Sequence, residues 1–258
     1  MDGAAASIRS KPAAQGPSCK VGVELPVLRF HVPGGTDACP KVERVLLGGY
    51  TGRQQADVAA HVAEMKELGV PVPPSFPVFY NAMPCLLTQG RTVEIVGPDT
   101  RPEVEFVLFG CEGKLFVTVG NDQFDLAVER RLSPEKSKNL CQKVVAATAW
   151  PLDGVQGHWD HLHLELRGRG EILQAAPVSS ILEPAVLLES ARRDCRFDET
   201  TGMLFSGTVP SIGTVDAGMS EFSISLRDRV LEREIRCDFR LVDITSPGET
   251  KSRPSMFE

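Results

Sequence analysis

The sequence predicts a β-rich α+β fold. Short segments rich in β-branched and aromatic residues recur along most of the chain, and only two segments have the apolar period of a helix. The sequence also contains no repeat at a solenoid or propeller period. These observations leave one large β-rich domain, or a main domain with a smaller lobe, for the 258 residues.

The strands are expected along much of the chain, with two helices between them. The clearest helix is predicted from Gln54 to Leu68, because Val58, Val62 and Met65 recur at helical steps before Leu68. A second helix is expected around EPAVLLESARR, whereas the proline-rich VPVPPSFPVFYNAMPCLL must run extended. The predicted strands are LPVLRFHV, KVERVLLGGY, TVEIV, EVEFVLF, KLFVTVG, HLHLELR, EFSISL and EIRCDFRLV.

Composition narrows the class of protein. The net charge of -6 comes without a block of Lys or Arg, which argues against a nucleic-acid binder, and no apolar run is long enough to cross a bilayer. Seven cysteines are scattered singly with no C-x-x-C pair and no secretory signal, so reduced thiols and a cytoplasmic location are expected. Residues 1–18 have the composition of a disordered tail.

Two neighbouring strands carry a set of carboxylates. Glu103 and Glu105 share one face of a strand that is otherwise apolar, and a hairpin through Gly110 and Gly113 returns the chain towards Asp122. If Val104 pairs with Val119, all three acids point to the same face and suit a hard divalent ion with oxygen ligands. The alternatives are two solvated glutamates at a strand end and an Asn-Asp turn.

Other candidate residues are less specific. His61 and Glu64 lie three residues apart on the predicted helix and suit an acid/base pair, although a solvated face is the simpler interpretation. His158, His161 and His163 are interpreted as surface residues rather than metal ligands. The loop SGTVPSIG offers N–H and O–H donors for a substrate carboxylate, and one lysine of Lys136, Lys138 and Lys143 could neutralise an anion.

Five segments in this order resemble the motifs of the fumarylacetoacetate hydrolase superfamily. They are AHVAEM, PVFYNAMPCLL, EVEFVLFG, GND and SGTVPSIG, and they span residues 50 to 213. The stretch WPLDGVQGHWDHLHLEL also resembles the family's approach to its D-x-H-x-L-x-L-x-L strand. The resemblance implies a mixed β-sandwich roll of the fumarylacetoacetase C-terminal type with a small N-terminal lobe, an uncharacterised branch of the superfamily, and a homodimer.

The resemblance also implies a site and a chemistry. Glu103, Glu105 and Asp122 would bind Mg2+ or Mn2+, and His61 and Glu64 would form a catalytic dyad on a lid helix. Lys138, preferred over Lys136, would be a further catalytic residue. The substrate-binding residues would be Tyr50, Arg53, Gly207 and Thr208. Such a site would act as a hydrolase or lyase on a small 2-oxo acid or acylpyruvate, where a metal stabilises an enolate. The types considered are acylpyruvate hydrolase, oxo-acid decarboxylase and sugar-acid dehydratase.

Departures from the family pattern leave a second hypothesis open. Asn81 or its neighbour stands where the family has a lysine, and Tyr50 is separated from His61 by a longer link. Both differences fit a non-catalytic small-molecule-binding protein that keeps the fold. The expected organisation is a tail at 1–18, an N-terminal lobe with the lid helix at 19–90, and the catalytic domain at 91–258.

Overall fold

The computed structural model describes residues 25–67, 72–73, 75–216 and 218–245, which form fifteen strands and five helices. The strands are β1 (Arg44–Gly49), β2 (Val78–Ala82), β3 (Leu87–Thr88), β4 (Thr92–Ile95), β5 (Thr100–Arg101), β6 (Val104–Cys111), β7 (Lys114–Asp122), β8 (Phe124–Asp125), β9 (Lys143–Val145), β10 (Trp150–Pro151), β11 (Leu162–Gly168), β12 (Glu171–Pro177), β13 (Gly202–Phe205), β14 (Glu221–Asp228) and β15 (Arg233–Asp243). The helices are α1 (Gln55–Glu67), α2 (Leu126–Arg131), α3 (Pro134–Lys138), α4 (Asp153–Gln156) and α5 (Pro184–Cys195).

Two mixed sheets make up most of the fold. One runs in the order β2-β1-β13-β6-β7-β9-β3, with β10 also paired to β7, and the other runs β12-β11-β14-β15-β4. Parallel pairs join β1 to β13, β3 to β9 and β4 to β15, while the remaining pairs of these sheets are antiparallel. The expected β-rich α+β architecture with a mixed β-sandwich roll is therefore confirmed.

Alternate residues of β6 explain how the layers pack. Phe106 and Leu108 point into a large apolar core with residues of the five-stranded sheet, whereas Val107 and Phe109 point into a second core on the opposite face. A strand buried on both faces reads as a continuous apolar run, as EFVLF does. Glu105 shares its face with Val107, so the second core borders the carboxylates.

The N-terminal strands belong to the larger sheet. β1 pairs in parallel with β13, and β3 pairs with β9. The sheet therefore continues across the boundary that the sequence suggests at residue 90. The expected tail at 1–18 lies outside the described residues, and the expected homodimer stays a prediction.

One predicted strand is wrong. The segment LPVLRFHV forms only isolated bridges, from Phe30 to Ala38 and from His31 to Thr148. Pro26 and Pro33 lack the N–H that a continuous ladder needs. The alternation of apolar residues in this segment nevertheless determines which side chains are buried, because Leu28, Phe30 and Val32 pack in the second core.

The two predicted helices are present as α1 and α5. Within the described ranges, no helix is both long enough and apolar enough to cross a membrane.

Candidate metal centre

Three carboxylates meet at one end of the β6–β7 hairpin. One oxygen from each of Glu103, Glu105 and Asp122 lies within 4.8 Å of the other two. Within the described ranges, these side chains form the group of acidic, His and Cys residues with the spacing of a metal site. The predicted convergence of the three acids is therefore found.

The hairpin register explains this convergence. Glu112 and Gly113 both have positive φ, as the two-residue turn between β6 and β7 requires. Val104 lies opposite Asn121 rather than the expected Val119. Because a shift of two residues preserves the alternation of side chains, Asp122 still shares a face with both glutamates. Its N–H donates to the Glu103 carbonyl at 3.0 Å.

Two lysines compensate part of this negative charge. Lys138 Nζ lies 2.6 Å from Asp122 Oδ2 and 3.1 Å from Glu103 Oε2. Lys143 is fully buried, and its Nζ lies 2.8 Å from Asp122 Oδ1. Lys136, the alternative considered with Lys138, is exposed on the same helix. The structure thus adds Lys143 as a second cation of the cluster.

Glu105 is less well compensated. Its Oε2 accepts a 2.8 Å hydrogen bond from the Gly207 N–H, whereas its buried Oε1 has no hydrogen-bond partner among the described residues. Burial raises the pKa of Glu105 well above its usual value, the charge of Asp122 raises it further, and Lys138 lowers it. A buried carboxylate oxygen without a donor costs free energy, and a cation with oxygen ligands would satisfy it.

The loop after β13 contacts this cluster through its backbone. Gly207 has φ of +85° and touches Thr51 closely, so a Cβ at this position would lie 2.2 Å from Thr51 Oγ1. Thr208 Oγ1 donates to the Val104 carbonyl at 3.0 Å and accepts from Gln174 Nε2 at 3.0 Å. These hydrogen bonds of the Gly207 N–H and of Thr208 join groups within the protein, and the substrate-binding roles of both residues stay predictions.

Gln174 is a residue that the sequence analysis missed. It is buried on β12, its Oε1 accepts from Val104 N at 2.9 Å, and its Nε2 donates to Val209 O at 2.7 Å. The register of β11 and β12 shifts between Leu166 and Arg167, so β12 holds one extra residue and both Leu173 and Gln174 are buried. Because of this bulge, β12 contacts the large apolar core through Leu173 and the backbone beside the carboxylates through Gln174.

Tyr50 and Arg53 lie before α1 in different environments. Tyr50 has φ of 55°, and its pKa is raised by burial and by the charge of Glu129. Arg53 donates to Asp160 Oδ2 and Oδ1 at 2.9 and 2.8 Å and to the Ile181 carbonyl at 3.1 Å. The proposed contact of Arg53 with substrate stays a prediction, because its guanidinium is engaged by Asp160 here.

The predicted dyad and the histidine triplet have different outcomes. His61 and Glu64 are on α1, but their side chains lie outside the described part of the chain. His158 Nε2 lies 3.0 Å from the buried Asp228 carboxylate, whereas His161 is exposed and His163 is half-buried on β11. Within the described ranges, the three histidines do not form a metal-binding group.

Glu129 is a fourth acid near the cluster that sequence reasoning did not single out. It lies half-buried on α2. Burial raises its pKa, Lys138 lowers it, and the charges of Glu103 and Asp122 raise it further. Residues 129–143 are largely polar, and this composition does not indicate that Glu129 lies near the carboxylate cluster.

Comparison with solved structures identifies the fold. A fumarylpyruvate hydrolase from Pseudomonas aeruginosa, in complex with Mn2+ and pyruvate, is 19% identical with a TM-score of 0.58, over 86% of this chain and 99% of that one. A 5-carboxymethyl-2-hydroxymuconate delta-isomerase from Mycobacterium smegmatis is 13% identical, with a TM-score of 0.54 over 80% and 79%. A 2-keto-3-deoxy-D-arabinonate dehydratase is 15% identical, with a TM-score of 0.55 over 78% and 74%.

These similarities show that the chain has the fumarylacetoacetate hydrolase fold, as its motifs indicated. Residues 48–239 match the family described as Protein of unknown function (DUF2848), and the chain belongs to that family. No curated protein matches the sequence.

Proposed function

We propose that the protein is a metal-dependent hydrolase or lyase that acts on a carbon–carbon or adjacent bond of a small 2-oxo acid or acylpyruvate. The observation that supports this most directly is the buried Glu105 Oε1, which lies beside two further carboxylates and has no hydrogen-bond donor in the described part of the chain. The solved enzymes of this fold include a hydrolase, an isomerase and a dehydratase. One of them holds Mn2+ and pyruvate, which makes a divalent ion and an oxo acid reasonable probes.

The proposed roles follow from the chemistry of each side chain. Glu103, Glu105 and Asp122 would hold Mg2+ or Mn2+, and a bound divalent cation supplies Lewis-acid polarisation of a 2-oxo acid. Lys143 would keep Asp122 ionised and in place, because its buried ammonium contacts that carboxylate. His61 and Glu64 would move the proton, and the donors of the loop at 206–211 would face the substrate carboxylate.

The charged form of the site depends on opposing effects within the cluster. Burial alone would raise the pKa of Asp122, but Lys138 and Lys143 outweigh burial and hold that pKa below its usual value. Asp122 therefore stays ionised near neutral pH and offers a ligand oxygen. Burial raises the pKa of Tyr80 to about 12, although the charge of the nearby Lys138 lowers it. The phenol of Tyr80 therefore stays protonated near neutral pH and can donate a hydrogen bond.

The test is turnover of acylpyruvates, oxaloacetate and sugar acids by the full chain with Mg2+ or Mn2+. We expect turnover of at least one of these compounds, and loss of it in Glu105→Gln, which keeps the shape of the side chain but removes its charge. Glu94→Gln is the matched control, because Glu94 is an exposed strand glutamate. Metal binding without turnover on any compound would instead support a non-catalytic binding protein.

A further inference from the structure

The ammonium of Lys138 lies inside the carboxylate cluster. We propose that Lys138 is a built-in counter-cation, which a divalent ion must displace from Glu103 and Asp122 before it can bind. This inference rests on the proposed metal site and adds a way in which the chain itself controls how tightly that site holds its ion.

The contacts of Lys138 support an exchangeable cation. Its side chain is 7% exposed, and Nζ bonds to one oxygen each of Asp122 and Glu103 at 2.6 and 3.1 Å. The same nitrogen lies 5.2 Å from the centroid of the Phe124 ring. Both of these hydrogen bonds thus go to acids of the candidate metal site.

Lys143 is held differently. Its Nζ donates to the backbone carbonyls of Gln123 and Lys138, in addition to contacting Asp122, and the residue is fully buried. Backbone carbonyls stay in place when an ion binds, so this lysine is anchored independently of the other carboxylates. Of the two cations, Lys138 is therefore the one that can leave the cluster.

Electrostatic balance favours such an exchange. A divalent ion binds the ionised form of all three acids, and in that form three carboxylates and two lysines leave the cluster one negative charge in excess. If a divalent ion replaces the ammonium of Lys138, its two charges and that of Lys143 balance the three carboxylates. If the ion binds while Lys138 stays in place, the buried cluster becomes positive, which its low-dielectric surroundings penalise.

The position of α3 allows the side chain to move without the helix. Ser133 caps the helix by accepting from Lys136 N, and Asn81 accepts from Asn139 Nδ2 at 2.8 Å and donates from its backbone N–H to Glu135 Oε1 at 2.9 Å. These bonds fix α3 against β2. Lys138 is the last residue of α3 and carries a flexible four-carbon stem, so rotation of this stem is sufficient to withdraw its ammonium.

The first experiment is calorimetric titration of Mn2+ into the wild type and Lys138→Met, which keeps an unbranched stem without the charge. We expect Lys138→Met to bind Mn2+ at least about tenfold more tightly, because close charge pairs commonly change binding by more than this factor. Lys136→Met removes an exposed lysine two residues away on the same helix and is expected to match the wild type. Equal or weaker binding by a folded Lys138→Met protein would overturn the proposal.

A second measurement uses the wild type alone and decides the question if Lys138→Met does not fold. Amine acylation with and without Mn2+, followed by peptide mass spectrometry, reports whether Lys138 becomes accessible. We expect faster modification of Lys138 with Mn2+ and continued protection of the fully buried Lys143. Unchanged modification of Lys138 at saturating Mn2+ would refute displacement.

The two proposals fail in different ways. Mn2+ binding that is lost in Glu105→Gln but is indifferent to Lys138 would leave the metal site standing and remove the role of Lys138. Absence of Mn2+ binding in the wild type and in both lysine variants would remove the metal site itself, and the exchange with it.

Discussion

Individual buried carboxylates of this chain differ in how their charge is balanced. Asp122 contacts two ammonium groups, whereas Glu105 has one backbone donor and, as far as the structure describes the chain, one oxygen without a hydrogen-bond partner. Asp228 lies outside the candidate metal centre, and other groups balance its charge. Its buried carboxylate accepts from Arg233 Nε at 2.9 Å, contacts His158 at 3.0 Å, and accepts from the N–H of Val230 and Leu231. Such a carboxylate is a structural anchor.

The pKa of Asp228 makes this anchoring measurable. Burial raises the pKa, but the bonds from His158, Leu231 and Arg233 outweigh it, and the net pKa is below the usual 3.8. A lowered pKa means that the stabilisation is complete above about pH 5 and is lost as the pH falls below 3.8 towards the folded-state value. We predict that Asp228→Asn lowers the free energy of unfolding by about 2 kcal/mol at pH 6, and by less at pH 3.

Urea unfolding of both proteins at the two pH values checks this prediction. Asp238→Asn is the control, because Asp238 forms an exposed ion pair with Arg236 on a strand, and such pairs contribute little. A difference between wild type and Asp228→Asn that is the same at pH 6 and pH 3 would contradict the linkage.

At the scale of elements, local pattern predicted the hairpin and its carboxylate face. The glycine-containing turn and the alternation of β6 and β7 are encoded within twenty residues, and an error of two residues in register did not matter because it preserved parity. Lys143 was one of three candidate lysines, but its contact with Asp122 alongside Lys138 was not predicted. Gln174 as a site residue and Asn81 as a helix anchor were missed, because their partners lie far away in sequence or depend on a bulge. The spacing of apolar residues in the sequence contains no information about such contacts.

Gln174 joins three elements and gives a prediction at this scale. Replacing it by Leu leaves Val104 N and Val209 O without their side-chain partners in the buried region, so we expect a loss of about 2 kcal/mol in the free energy of unfolding. Because Val104 lies between Glu103 and Glu105, Mn2+ affinity should fall as well. Gln156→Leu, at an exposed position of α4, should change neither quantity. Chemical unfolding and calorimetry would contradict this role if Gln174→Leu behaved like Gln156→Leu.

At the scale of the whole molecule, the candidate centre exists only in the folded chain. Its carboxylates come from the β6–β7 hairpin, its lysines from α3 and β9, and its backbone donor from the loop after β13. The hairpin lies in the middle of the eight-stranded sheet, between β13 and β9, and β6 is buried on both faces. The larger sheet, α3 and the loop after β13 must therefore all be in place for the complete centre to exist.

A ligand that binds only this folded arrangement must stabilise it. At a free Mn2+ concentration one hundred times the dissociation constant, binding is expected to add about 2.7 kcal/mol to the free energy of unfolding, and EDTA should reverse the gain. Thermal unfolding followed by circular dichroism measures this effect as a rise in midpoint. Glu105→Gln removes a ligand charge and should abolish the rise, whereas Glu94→Gln should retain it. An equal rise in both variants would show that the ion binds elsewhere on the acidic surface.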